Sequence, residues 1–124
     1  MELVTRVDVG DPRRTRVDAK CLLSIELDDG ERVPLLTDRG WGSTASWTET
    51  SMEEMETDAL TVVGPDAPFD DHTEEEMARG YWKMLEREAR DRNVAITAEE
   101  LAELPHHVEF TEEVFTRVEG VNGA

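Results

Sequence analysis

A single cysteine, Cys21, in 124 residues excludes an intramolecular disulfide framework. No apolar run approaches the ~20 residues that a membrane-spanning helix requires. The opening residues, Met1 to Arg6, lack the basic-then-apolar layout of a secretory signal, so a cytoplasmic location with no membrane contact is the expectation. Glycine-rich dinucleotide and P-loop patterns are missing, as are the G-x-S-x-G elbow, the paired cysteines of zinc deaminases and the calcium loop. These absences weaken the case for an enzyme and for a calcium-loop protein. Lysine is scarce as well, with 2 against 11 arginines, a bias that fits either a saline habitat or GC-rich coding.

Negative charge is abundant. Thirty acids against 13 bases give a formal charge of −17, and the excess is uneven. Residues 1–42 hold 9 acids and 7 bases, for −2, whereas residues 43–124 hold 21 and 6, for −15. Such a field disfavours nucleic acid and anionic membranes and favours cationic partners. The charged share of 35% beside 38% hydrophobic residues invites a disordered reading. Clear apolar periodicity argues against it.

In the first 42 residues that period is two. Leu3, Thr5, Val7 and Val9 alternate with polar neighbours until Gly10-Asp11-Pro12 breaks the run. Val17, Ala19, Cys21, Leu23, Ile25 and Leu27 then share one face, with Asp18, Lys20, Ser24, Glu26 and Asp28 on a solvated opposite face that Leu22 alone interrupts. Asp28-Asp29-Gly30 predicts a hairpin, and Pro34 places the returning arm (Val33, Leu35, Leu36) at a sheet edge. Residues 37–50 read as a loop or irregular crossover.

From Ser51 the period changes to that of helices. Ser51/Glu54, Thr73/Glu76 and Thr97/Glu100 have capping-box spacing, and Thr111 is a further N-cap. One helix carries Met52, Met55, Ala59 and Val62 or Val63 inward and ends at Gly64-Pro65. The longest, residues 74–92, presents Met77, Tyr81, Leu85 and Ala89, with Glu75/Arg79, Glu86/Arg90 and Glu88/Arg92 at i,i+4 outside. Val94 to Ile96 is a short strand or a packed connector. Short helices near residues 98–104 and around Val114, Phe115 and Val118 precede a polar tail. The expected fold is one α+β domain over residues 1–124, strand-rich over 1–42 and helix-rich over 51–118. An N-terminal antiparallel sheet of three or more strands packs against one long and two or three short helices.

Few residues suggest chemistry. Cys21 lies on an apolar strand face with no adjacent base to stabilise a thiolate, so a buried structural role is expected. His72 sits before a helix start, and His106 and His107 fall in a connector after Pro105. Together they are weak metal candidates, because a closed site needs three or four converging ligands. Neither a metal nor another cofactor is expected. Arg13, Arg14 and Arg16 can hold a phosphate, but without a glycine-rich cradle they read as neutralising this chain's own carboxylates or those of a second subunit, as in a homodimer. Trp41 and Trp47 bracket a Gly/Ser-rich stretch and either anchor an interface or staple a loop to the core.

The leading expectation is a non-enzymatic binding protein whose acidic helical half engages a basic protein partner. Glu53, Glu56, Asp58, Glu74 and Glu75, with Trp41 and Trp47, form the expected binding set. In size and charge the chain is similar to bacterial immunity proteins, nuclease inhibitors and nucleic-acid mimics, a likeness of composition alone. Two alternatives stand beside it: a small metal-dependent or histidine/acid hydrolase, and an assembly subunit whose acidity serves solubility.

Overall fold

A computed structural model describes residues 1–120; the polar tail expected beyond them lies outside the described residues. Three N-terminal strands, β1 (Glu2–Val9), β2 (Arg16–Glu26) and β3 (Arg32–Ser46), form an antiparallel meander. The helices are α1 (Met52–Val63), α2 (Glu74–Asp91), α3 (Ala98–Glu103) and α4 (Glu112–Glu119). Between α3 and α4 lies β4 (His106–Phe110), which runs parallel to β1, so the sheet order is β3-β2-β1-β4. The architecture is α+β, with helices covering one sheet face.

Local chemistry explains most boundaries. Gly30, at φ 88°, takes the left-handed conformation that the β2–β3 turn needs. Ser51, Thr73, Thr97 and Thr111 each accept a hydrogen bond from the amide three residues on. The boxes at Thr73 and Thr97 are complete. At Ser51 the Glu54 carboxylate instead accepts from the Thr50 hydroxyl at 3.1 Å. The end of α2 is a Schellman turn: Asn93, at φ 65°, and Val94 donate back to Arg90 and Ala89, and Val94 is buried. Val94 and Ile96 are therefore packed connector, not strand.

Two expectations are corrected. Residues 37–46 continue β3 instead of forming a loop, and a short 3-10 helix (Trp47–Glu49) follows. Gly40 permits this, since a Cβ there would lie 2.4 Å from the Ala19 carbonyl oxygen. His106 and His107 lie not in a connector but in β4, pinned by Leu3 N–H to Pro105 O at 2.8 Å and Thr111 N–H to Val7 O at 3.1 Å.

The core lies between the sheet and the helices. Leu3, Val7, Val17, Cys21, Leu23 and Ile25 from the strands meet Met55, Ala59, Leu85, Leu101 and Val114 from the helices. Burial pushes the Cys21 thiol up to about 11, which keeps it protonated and unreactive at neutral pH. No described helix is long and apolar enough to cross a membrane.

The opposite face departs from the simple alternation. Val4 and Ser24 point away from the helices, yet they are only 1% and 5% exposed. Arg32 at the β3 edge spans this face. Its guanidinium forks onto Glu109 of β4 at 2.6 and 2.8 Å and reaches Glu26 of β2 at 2.9 Å. In the register, Arg32 lies beside Glu26, and Glu109 beside Arg6. A bridge between them therefore crosses the Val4/Ser24 row. The ion pairs also hold the Glu109 carboxyl below its usual range.

Candidate partner-binding surface

Helix α1 concentrates the negative charge. Its 12 residues include Glu53, Glu54, Glu56 and Asp58 and no base. The serine cap fixes its start, and the glutamates of its first turn complement the positive end of the helix dipole. All four carboxylates are exposed, and among the described residues none forms an ion pair within 4 Å.

At ~100° per residue, Glu53, Glu54, Thr57 and Asp58 share the outward arc, whereas Glu56 turns to the flank beside Leu60. Ser51, Glu53, Glu54, Thr57 and Asp58 accordingly line one shallow open depression. The structure thus places Glu53 and Asp58 on the lining of one depression that Glu56 does not line. Glu54, absent from the expected binding set, belongs to the same arc. Its i,i+4 spacing to Asp58 was the available signal.

Helix α2 differs. Glu74 and Glu75 are exposed in its first turn without ion partners among the described residues, and the expected Glu75/Arg79 pair does not form. Further along, Glu86 and Glu88 meet Arg90 and Arg92 at 3.5 and 3.9 Å. Negative charge on α2 is thus unmatched at its start and partly neutralised toward its end.

The tryptophans separate. Trp47 is 4% exposed in the core, under the Arg117 guanidinium at 5.8 Å, and presents no surface to a partner. Trp41 lies on β3 opposite Ala19, half-buried against the helix-covered face.

The histidines do not converge. His72 approaches Glu76 at 3.5 Å and packs edge-on against Phe69. His106 and His107 are neighbours on a strand and so point to opposite faces. No group of three metal-binding side chains occurs among the described residues. His106 Nε2 lies 2.6 Å from the hydroxyl of Thr5, which is fully buried.

Burial, with the neighbouring His107 charge, holds His106 below the ordinary histidine value of 6.5. A base with a depressed folded pKa takes up protons more readily when unfolded. Its stability contribution is therefore present above 6.5 and is lost as pH falls toward the lowered value. Urea unfolding of wild type and His106→Asn, compared between about pH 7 and pH 5, isolates this term. The wild type should lose stability relative to the variant on acidification; a constant difference would refute the assignment.

No family model, curated protein or solved structure matches this chain.

Proposed function

We propose that this chain is a non-enzymatic binding protein of the inhibitor, immunity or nucleic-acid-mimic type, whose acidic helical surface engages a basic protein. The supporting observation is the contrast between helices: α1 has four exposed carboxylates and no base, while the later turns of α2 are cross-paired. Desolvating an unpaired acid-only surface is favourable only against positive charge, and a concentrated negative field steers a cationic partner toward it. Glu53, Glu54 and Asp58 form the centre, with Glu74 and Glu75 as a second acidic site.

Low-salt capture from a native lysate supplies the partner, and association kinetics at several ionic strengths supply the test. Reversing Glu53, Asp58, Glu74 and Glu75 to lysine should slow association about tenfold or more at low salt and flatten its salt dependence, because steering acts on the on-rate. Circular dichroism verifies that the variant remains folded. Unchanged association in a folded variant would refute the acidic-surface reading.

A further inference from the structure

Against the overall charge of −17, the turn between β1 and β2 carries Arg13, Arg14 and Arg16. Together with Thr15 and Val17 they line an open cavity of about 570 Å³, whose far wall is Gly42, Ser43 and Thr44 of β3. We propose that this cavity binds a small phosphate-bearing anion.

Internal neutralisation accounts for only part of the cluster. Asp11 accepts from the Arg13 side chain at 3.1 and 3.2 Å, which commits that guanidinium. Arg14 reaches the same carboxylate only at 3.9 Å. Arg16 has no ion pair among the described residues. Among the described residues Arg16 therefore lines the cavity with unmatched charge, and Arg14 shares at long range a carboxylate that Arg13 already holds, in a chain whose acids outnumber its bases 30 to 13.

The turn is also held in place without a ligand. Arg117 of α4 donates to the carbonyls of Pro12 at 2.9 Å and Arg14 at 3.4 Å while lying over Trp47. Asp18 accepts from the Asp11 amide at 2.9 Å, and its carbonyl accepts from Gly10 at 2.7 Å. Binding is thus spared the ordering of a loop, a large part of the usual cost.

The donor set selects the anion. A carboxylate is planar and is satisfied by one guanidinium fork, whereas a phosphate offers oxygens out of that plane. The hydroxyls of Thr15 and Thr44 have no hydrogen bond among the described residues, and the Ser43 hydroxyl, which accepts from Ala45 N–H at 3.1 Å, keeps its own proton to donate. These donors stand on two walls. Among the described residues no aromatic ring lines the cavity, so a nucleobase finds no stacking platform there. A Cβ at Gly42 would meet only the Val17 carbonyl oxygen at 3.8 Å, an ordinary contact, so packing does not require glycine there. Its missing side chain keeps the cavity open.

The test is titration of the full chain with inorganic phosphate, followed by amide NMR at constant ionic strength, with chloride as the control. Saturable shifts should concentrate in residues 13–17 and 42–44, with a dissociation constant of about 1 mM. Arg14→Gln and Arg16→Gln should each weaken binding about tenfold, as expected for loss of a charge-assisted hydrogen bond, while Arg13→Gln should have a much smaller effect. Gly42→Val should block the cavity in a chain whose other amide shifts show it folded. Equal shifts with chloride, or binding unaffected by Arg16→Gln, would overturn the proposal. Shifts of these amides with protein concentration alone would assign the arginines to carboxylates of a second copy and overturn it too.

Discussion

Trp47→Ala should destabilise the protein by about 3–5 kcal/mol, the range for removing a large aromatic side chain from a core that relaxes only partly. The ring is 4% exposed and lies beneath Arg117, in the 3-10 helix that packs against α4. Removing it opens a void where the end of β3, the β1–β2 turn and the last helix meet. Trp47→Phe is the informative companion. The indole N–H finds no acceptor among the described residues, and phenylalanine removes that unsatisfied donor while retaining most of the apolar bulk. Its cost should be well under half that of alanine in urea denaturation. If Trp47→Ala costs no more than an exposed substitution, the ring is not part of the core, and its exclusion from the partner surface fails with it.

Leu23→Ala should cost about 2–5 kcal/mol, because Leu23 is fully buried at the centre of the helix-covered face. The other face is the sharper test. Were it merely solvated, Val4→Ala would be nearly silent; with Val4 under the Arg32–Glu109 bridge, it should cost about 1–2 kcal/mol. The bridge and the valine should also be coupled. In an Arg32→Ala background Val4 is uncovered, so truncating it should cost less, and the double-mutant cycle should depart from additivity. Additive effects would mean that something other than Arg32 shields that row.

The acidic surface was only partly readable in advance. Charge and helix position are local, so the exposure of Glu53, Asp58, Glu74 and Glu75 followed from the helical period alone. Which acids stay unpaired depends on rotamers and neighbours. The Glu75/Arg79 spacing suggested an ion pair that does not form, while the capping-box spacing assigned Glu54 to a reciprocal cap that its carboxylate does not complete, leaving it on the exposed α1 arc.

By itself the sequence determined what short-range chemistry controls. Alternation set the inward faces of β1 and β2, glycine set the β2–β3 turn, and hydroxyl caps set the helix starts. Tertiary structure alone decided what needs partners distant in the chain. Gly/Ser/Thr-rich residues 37–46 carry no strand period of their own and are strand because β2 supplies their hydrogen bonds. Residues 106–110 are too short and too polar to declare themselves, and they become β4 by parallel pairing with β1, about a hundred residues earlier. Val4 and Ser24 look solvated by alternation and are buried, on a face where an arginine on one edge strand finds a glutamate on the other. Periodicity records which way a side chain points; what covers it there depends on contacts that form only when the chain closes on itself.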